Sequence, residues 1–323
     1  MSSSQRVSVV IPAYNAARHM RRCLDSVACQ TRPVQEIIVV NDGSTDETLD
    51  VLAEYGSRIT AITTPNRGVA AARNTGIRAA TGDWIAFLDA DDAWHAQKTE
   101  RQLAQLEQNP RAVMGYAQVA DISEGGEQKR IWPTMVCLSQ DDDRLLPYWA
   151  CLAHMPQTST IIVQRKALEA AGEFREDMRN SEDSDLWVRL LAIGPFVGIE
   201  DVLANRYVLS TGLSATGGEI KILEADMALL RRHRRQIRKW TKGCWVNGIA
   251  YTHASMANVY QRSKSRWLSF RHAALGLWGW HPQWMFSLKL FLEGILGENV
   301  YGTTVSALKR SAKWFSRRQA EGA

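Results

Sequence analysis

The sequence of 323 residues contains only five cysteines, and no two of them have the CxxC spacing of a zinc or redox motif. Secreted disulfide scaffolds and structural zinc sites use dense, regularly spaced cysteines, so this pattern disfavours both and favours a reducing compartment. A signal peptide is not expected either, because Pro12 and Asn15 interrupt the only apolar run near the N-terminus. Apolar residues make up 45% of the chain, which is typical of a globular protein with a hydrophobic core.

Acidic residues are scarce near the end of the sequence. Residues 231–323 contain 17 Lys+Arg and 3 Asp+Glu, a net charge of +14, whereas residues 1–230 contain 22 Lys+Arg and 31 Asp+Glu, a net charge of −9. The basic part also contains 7 of the 12 tryptophans. Such a change of charge predicts a separate surface with an anionic partner.

A membrane surface is the partner that this composition favours. Trp, Phe and Leu with Lys and Arg nearby are typical of helices that lie in the membrane interface. A helical subdomain that buries its tryptophans is the alternative. Pro282 interrupts the longest uncharged stretch, which is too short for a transmembrane helix. No recognised nucleic-acid-binding module accompanies the charge, so we expect no nucleic-acid partner.

Short apolar runs alternate with helical patterns at the start of the chain. They predict strands at 7–12, 36–42, 59–63 and 84–89, and helices at 17–30, 46–55, 68–80 and 96–108. Strands that are apolar throughout and separated by helices predict an α/β fold, with a parallel sheet covered by helices on both faces. Farther along, we predict irregular structure at 121–156, a strand at 159–163, helices at 165–171 and 184–192, and mainly helices after 216.

Polar and acidic side chains follow the ends of several predicted strands. In FLDADD, Asp89 and Asp91 are separated by one residue, so that in extended geometry both carboxylates face one side. Two such carboxylates suit a divalent cation that also holds a diphosphate. A turn with helix-capping aspartates explains the same spacing, and Asp92 fits that role. No GxGxxG motif follows the first strand, which disfavours a dinucleotide-binding dehydrogenase.

Two other segments of the first half also suggest a nucleotide site. In VVNDGSTDET, Asp42 follows a strand and could accept a hydrogen bond from the imide N–H of uracil or thymine, although a plain strand–turn–helix connection has the same pattern. In NRGVAAARNTGI, Arg73 lies inside an otherwise apolar helix. It could pair with a phosphate near the helix start, pair with one of the acidic residues, or be solvated.

A cluster of acids opens a later predicted helix, in NSEDSDLWVRL. Glu182, Asp183 and Asp185 lie in its first turn, where acids often only complement the helix dipole. We favour that interpretation for Asp185. A carboxylate in this turn could instead take a proton from an acceptor hydroxyl.

The segments VSVVIPAYNA, VVNDGSTDET, NRGVAAARNTGI, DWIAFLDADD and NSEDSDLWVRL occur in one order and spacing. As an ordered set they resemble the family 2 glycosyltransferases, over roughly residues 5–215. The resemblance implies a GT-A fold of the Rossmann-like type. It also implies inverting transfer of a sugar from a nucleotide-sugar donor, with a UDP- or dTDP-sugar favoured, to the hydroxyl of a saccharide or lipid-linked acceptor.

The resemblance also assigns roles to particular residues. Asp183 would be the general base, and Glu182 would contact the acceptor beside it. Asp91 would ligate Mg²⁺ or Mn²⁺, and Asp89 would lie near the ribose or the metal. The nucleotide pocket would be formed by Pro12, Tyr14, Asn15, Asp42 and Arg73.

One position departs from the family pattern. Many relatives have a histidine before a Ser-rich loop, where it can reach the metal or the diphosphate, but Leu209 stands at the comparable position in NRYVLSTGLSA. Either another group serves, such as His233, or the metal keeps a water there.

We therefore expect a catalytic domain at 1–218, with a nucleotide-sugar half at about 5–120 and an acceptor half at about 121–218. A basic, Trp-rich helical region would follow at 219–323. Polysaccharide or glycolipid biosynthesis is the expected setting, in the cytoplasm with peripheral contact to the cytoplasmic membrane face. A sugar-nucleotide pyrophosphorylase is an alternative, although IPAYNAARH lacks the Gly-rich loop of those enzymes. A non-catalytic, membrane-associated assembly protein is another, against which the intact acidic set argues.

Overall fold

The computed structural model describes residues 5–123, 125–133, 136–141, 155–208, 219–235, 237, 252–257 and 266–276. The chain divides into two compact units, residues 1–241 and residues 242–323, and each is described by itself. The predicted catalytic domain at 1–218 lies within the first unit. The finer division of that domain into two halves stays a prediction.

Nine strands in the described part of the first unit form one sheet. In spatial order they are β3-β2-β1-β4-β8-β6-β9-β5, and β7 pairs with β6 outside this row. Their bounds are β1 Val7–Ala13, β2 Glu36–Asn41, β3 Thr60–Thr63, β4 Trp84–Phe87, β5 Ala93–Trp94, β6 Met114–Ser123, β7 Gln128–Trp132, β8 Ile162–Gln164 and β9 Phe196–Val208.

Seven helices with described bounds accompany the sheet in the same unit. Their bounds are α1 Ala17–Ala28, α2 Thr48–Ala53, α3 Val69–Ala79, α4 Lys98–Gln108, α5 Arg165–Ala171, α6 Glu182–Leu191 and α7 Glu219–Arg232. The described part of the second unit contains α8, Arg266–Gly276. Among the described residues, no helix combines the length and the apolar character needed to span a bilayer.

The first half of the sheet is parallel, as the apolar strands predicted. β1 pairs in parallel with β2 and β4, and β2 with β3. In the other half β6 and β9 are parallel, whereas β8 runs antiparallel to β4 and β6, and β5 runs antiparallel to β9. The parallel strands bring their carboxyl ends to one edge, where ligands of open α/β sheets bind.

The core of the first unit lies between the sheet and its helices. β1 and β4 are buried at every position, and α1 buries Met20, Cys23, Leu24 and Val27, the spacing of one helix face. α3 approaches the sheet closely because Gly76 has no side chain: a Cβ there would lie 2.4 Å from Cγ1 of Val10. This close approach places Arg73, on the same helix, at the carboxyl edge of β4.

The second half of the domain differs from the sequence prediction. The region predicted as irregular begins inside β6 and contains the β6–β7 hairpin, and β9 was not predicted at all. β9 has charged residues, Glu200, Asp201 and Arg206, inside a long strand, and the β6–β9 register shifts around Gln118. Both features hide the alternation by which a strand is recognised in sequence. The strand predicted at 159–163 is a 3₁₀ turn, Thr158–Thr160, followed by β8.

Candidate active site

The end of β1 is tied to the loop after β2. Asn15 adopts a left-handed backbone conformation (φ 48°), which asparagine tolerates better than most residues. Its N–H donates to Ser44 Oγ at 3.0 Å, and its Oδ1 accepts from the N–H of Thr45 at 2.8 Å. Pro12 is buried, whereas Tyr14 is 53% exposed. The connection therefore leaves the Tyr14 ring open at the carboxyl edge of the sheet.

Asp42 is buried at the end of β2 and fixes the start of α3. Its Oδ1 accepts from the N–H of Arg67 at 2.9 Å, and its Oδ2 accepts from the N–H of Gly68 at 2.7 Å. The turn that carries Asp42 requires glycine at position 43, because φ is +74° and a Cβ would lie 2.8 Å from the backbone nitrogen of Asn66. The strand–turn–helix connection considered from the sequence is therefore present. The Asp42 carboxylate still has lone pairs that could accept further hydrogen bonds.

Arg73 is the central cation of the site. It is 4% exposed, and its guanidinium donates to Asp89 and to Glu182, each at 2.8 Å. Burial lowers the pKa of Arg73, but the charges of Asp89 and Glu182 outweigh it, so the pKa lies above its ordinary value. Of the partners considered from the sequence for Arg73, which were a phosphate, an acidic residue and solvent, the structure shows the acidic residues. One side chain thereby joins the end of β4 to the start of α6.

The acidic segment after β4 carries more negative charge than Arg73 balances. Burial, followed by the charge of Asp89, raises the pKa of Asp91. Burial, followed by the charges of Asp89 and Asp91, raises the pKa of Asp92 well above its ordinary value. Asp92 is buried and accepts hydrogen bonds from the Ser159 hydroxyl and, at 3.3 Å, from the N–H of Tyr207. Asp92 is therefore a structural residue, and Asp89 and Asp91 are the half-buried carboxylates at this edge.

Glu182 and Asp183 open α6 beside this segment. Glu182 is buried, and its pKa is raised by burial and then by the charge of Asp183, against the opposing effect of Arg73. Asp183 is half-buried. Its Oδ1 accepts from the N–H of Ser184 at 2.6 Å, and its Oδ2 accepts from the Thr158 hydroxyl at 3.3 Å. The two predicted groups, 89–91 and 182–183, thus meet around one guanidinium.

Asp185 has a larger role than the predicted complement to the helix dipole. It is fully buried, and its carboxylate accepts from Arg189 Nε at 2.8 Å and lies 2.7 Å from Nε2 of His233. Burial raises the pKa of Asp185, but the hydrogen bonds from His233 and Arg189 outweigh it, so the pKa is lowered. His233 is therefore engaged with Asp185. Leu209, where the family pattern has a histidine, lies outside the described residues.

The turn Thr158–Thr160 contributes to the site in a way that the sequence analysis missed. Thr158 donates to Asp183, and Ser159 donates to Asp92. Ser159 Oγ also accepts from the N–H of Asp89 at 3.2 Å. One short turn therefore contacts both acidic groups. Thr158 comes just before the strand that was predicted at 159–163, and Ser159 and Thr160 were assigned to that strand, so the local sequence gave no signal for this role.

Arg22 of α1 is a second residue that was missed. Its guanidinium donates to the backbone oxygen of Asp91 at 2.7 Å and lies 3.4 Å from the centre of the Tyr207 ring. Arg22 thereby holds the loop that carries Asp91 against β9.

The described residues contain no group of three or more His, Cys, Asp or Glu side chains arranged to hold a metal ion.

Comparison with known proteins shows which family the chain is similar to. The family model described as "Glycosyl transferase family 2" matches residues 8–170. The amylovoran biosynthesis glycosyltransferase AmsB of Erwinia amylovora is 34% identical over 225 residues, which cover 66% of this chain and 73% of that protein. The first curated relatives are uncharacterized glycosyltransferases of Rickettsia species, and the chain spans between 33% and 64% of their length.

Solved structures share the fold. S. aureus TarS 1-349 in complex with UDP-GlcNAc has a TM-score of 0.59 and 16% identity, over 90% of this chain and 89% of that one. The mannosyltransferase PcManGT of Pyrobaculum calidifontis, in complex with GDP-Man and Mn²⁺, has a TM-score of 0.57 and 19% identity, over 98% of this chain and 83% of that one. These similarities confirm the predicted α/β fold of the GT-A type.

Proposed function

The chain belongs to glycosyl transferase family 2, and on that premise we propose that it moves a sugar from a nucleotide-sugar donor to an acceptor hydroxyl with inversion at the anomeric carbon. The observation that carries the proposal is the buried guanidinium of Arg73, which is bonded to both Asp89 and Glu182. It brings the acids at the end of the nucleotide half next to the acids of α6. Both groups can therefore act on one bound sugar.

We propose a UDP- or dTDP-sugar as the donor. The exposed ring of Tyr14 and the buried carboxylate of Asp42 follow neighbouring strands, β1 and β2, at the edge where nucleotides bind in α/β folds. Asp42 already accepts two backbone N–H groups, and the remaining lone pairs could accept the imide N–H of a pyrimidine. TarS was solved with UDP-GlcNAc, which supports this choice, and PcManGT with GDP-Man, so a guanine N–H is the other partner to test.

The residues after β4 fit a divalent cation, Mg²⁺ or Mn²⁺. Asp89 and Asp91 are neighbouring carboxylates, and the pKa of Asp91 is raised first by burial and then by the charge of Asp89, two effects that a bound cation would offset. Protein sites for Mg²⁺ commonly use one or two carboxylates and take the remaining ligands from substrate phosphates, so a larger protein cluster is not required. Asp91, with Asp89 beside it, would hold the ion, which when bound stabilises the negative charge of a departing diphosphate.

The proposed base is Asp183. Its Oδ1 and Oδ2 accept from the N–H of Ser184 and the hydroxyl of Thr158, which fix the carboxylate while leaving lone pairs for an acceptor hydroxyl. Taking the proton from that hydroxyl as it attacks raises its nucleophilicity. Inversion requires the attack to come from the face opposite the leaving diphosphate, as in inverting sugar hydrolysis. Glu182, held by Arg73, would contact the acceptor beside the base.

The experiment that tests the function uses two site variants and a matched control. Asp183→Asn should lower sugar transfer by roughly 100-fold or more, the usual contribution of a general base, while leaving Mn²⁺-dependent nucleotide binding intact. Asp91→Asn should lower transfer and also weaken nucleotide binding in the presence of Mn²⁺. Asp50→Asn, at an exposed position of α2, should behave as the wild type. Full activity of both site variants would exclude the mechanism.

We further propose a role in cell-surface polysaccharide or glycolipid synthesis, in the cytoplasm and peripherally on the membrane. The similarity to AmsB, named for amylovoran biosynthesis, supports the first part. The net charge of +14 and the seven tryptophans of residues 231–323 support the second. Co-sedimentation with vesicles that contain anionic lipid tests it: binding that weakens at high salt is expected, and no binding at low salt contradicts it.

A further inference from the structure

Helix α7 contacts the first turn of α6 on both sides of the proposed base. The hydroxyl of Ser181, immediately before α6, donates to Asp226 Oδ1 of α7 at 2.6 Å. Directly after the C-terminal end of α7, His233 Nε2 lies 2.7 Å from Asp185 Oδ1. Glu182 and Asp183 lie between these two contacts. α7 itself lies beyond the residues 8–170 that match the family model.

Ser181 has an unusual conformation for the residue that begins a helix. Its backbone is left-handed (φ 58°), which is unfavourable for a residue with a Cβ atom. A serine at this position usually caps its own helix through its side-chain oxygen, but Ser181 makes no such bond. Its hydroxyl instead donates to α7. The conformation that sets the start of α6 therefore depends on a residue 45 positions farther along the chain.

We propose that Asp226 is a positioning residue for Asp183, a role that rests on the proposed function. The hydrogen bond from Ser181 to Asp226 holds the left-handed turn, and that turn fixes the direction in which α6 begins and thus where the Asp183 carboxylate lies. Asp226 itself does not touch the substrate. Its effect should appear in kcat, because a small displacement of a reacting group slows chemistry, while nucleotide binding at the ends of β1, β2 and β4 should be unchanged.

The raised pKa of Asp226 predicts how substitutions there affect stability, separately from activity. Burial raises the pKa of Asp226, the hydrogen bond from Ser181 opposes this, and the charge of Asp183 adds to it, so that the pKa is about 6. A carboxyl whose pKa is raised on folding stabilises the fold at acid pH, and this contribution is lost as the pH rises through about 6. At pH 7.5 the ionised carboxylate is therefore a cost to the fold. Asp226→Asn removes that charge and keeps an oxygen that can accept from Ser181, so its Tm should equal or exceed that of the wild type.

The test uses Ser181→Ala and Asp226→Ala, which remove the hydrogen bond, and Asp226→Asn, which keeps an acceptor. Glu224→Gln, at an exposed position of the same helix, is the control. The donor is whichever of UDP-GlcNAc, UDP-glucose and GDP-mannose the wild type turns over with Mn²⁺. The two alanine variants should lower kcat about tenfold to a hundredfold, with unchanged affinity and stoichiometry of nucleotide binding. Asp226→Asn should stay close to the control.

A second measurement does not depend on activity. Amide hydrogen exchange of residues 182–187 should be faster in Ser181→Ala and Asp226→Ala than in Glu224→Gln, because the start of α6 is released. Alanine variants that turn over like the control, while Asp183→Asn is inactive, would overturn the positioning role and leave the proposed function intact. An Asp183→Asn variant as active as the wild type would instead refute the proposed function. Unchanged exchange would then still refute the idea that Asp226 holds this turn.

Discussion

Replacing Arg73 by methionine should destabilise the protein more than any loss of a surface arginine. The Arg73 side chain is 5% exposed and donates at 2.8 Å to Asp89 and to Glu182, whose side chains are 34% and 11% exposed. Removing one partner of a buried ion pair costs about 3–5 kcal/mol, because a desolvated charge is left without compensation. Glu182 can take up a proton, since its pKa is already raised, so we expect the lower end, about 3 kcal/mol.

The matched control lies on the same helix. Arg78 is 56% exposed and pairs with Glu173, and exposed pairs contribute about 0–1 kcal/mol. In a domain of this size, a loss of 3 kcal/mol corresponds to a fall in Tm of about 6–12 °C, so Arg73→Met and Arg78→Met should separate clearly in thermal unfolding at pH 7.5. Arg73→Lys should lie between them, because an ammonium keeps the charge but lacks the planar fork that reaches two carboxylates.

The pH dependence provides a second check on the same reasoning. Without Arg73 the pKa of Glu182 should rise further, so protonation at lower pH should relieve the unpaired charge. The difference in Tm between Arg73→Met and the wild type should therefore be larger at pH 7.5 than at pH 5. Equal Tm losses for the two methionine variants, or a difference that grows toward acid pH, would refute the interpretation of Arg73 as the cation that joins two buried acids.

Two further predictions concern the frame around the site. The pKa of Asp185 is lowered, so its bonds to His233 and Arg189 stabilise the fold above the unfolded pKa of about 4, and this stabilisation is lost as the pH falls. Asp185→Asn should therefore lower the free energy of unfolding at pH 7 in urea titrations, with a smaller loss near pH 3. A loss that does not depend on pH would contradict this. Gly76→Ala should cost about 1–3 kcal/mol despite a better helix propensity, because its Cβ would lie 2.4 Å from a methyl group of Val10; unchanged urea unfolding would show that the contact relaxes freely.

The strand–helix order of the first half was predictable because β1, β4 and most of β2 are buried on both faces, whereas the exposed β3 was recognised as a short segment between two helical patterns. β1 and β4 are buried throughout, so their sequences are continuous apolar runs, and Asp89 and Asp91 follow directly in the chain. The polar groups at the strand ends could be predicted as one edge from the parallel order alone. The candidate residues at 12–15, 42, 73, 89–91 and 182–183 were selected from local patterns and the family resemblance, and their roles stay predictions.

The contacts that assemble the site were not predictable, because they join residues distant in the chain. Arg73 reaches Glu182 across 109 positions, and Ser181 reaches Asp226 across 45. Nothing in the local sequence distinguishes Asp226 from the other acids of an amphipathic helix. β9 was missed for a related reason: its charged residues are accommodated by pairing with β6 and β5, and pairing is invisible in a single segment.

The turn Thr158–Thr160 determines how the site responds to motion elsewhere. Its side chains support Asp183 and Asp92, its backbone oxygens accept from Trp94 Nε1 and Gln102 Nε2, and the amide of Asp89 is bonded to it. A shift of α4 or of the sheet should therefore move the carboxylates after β4 and the Asp183 carboxylate together. The distance between the two sets should therefore change little as the protein fluctuates, as the proposed inverting mechanism would require.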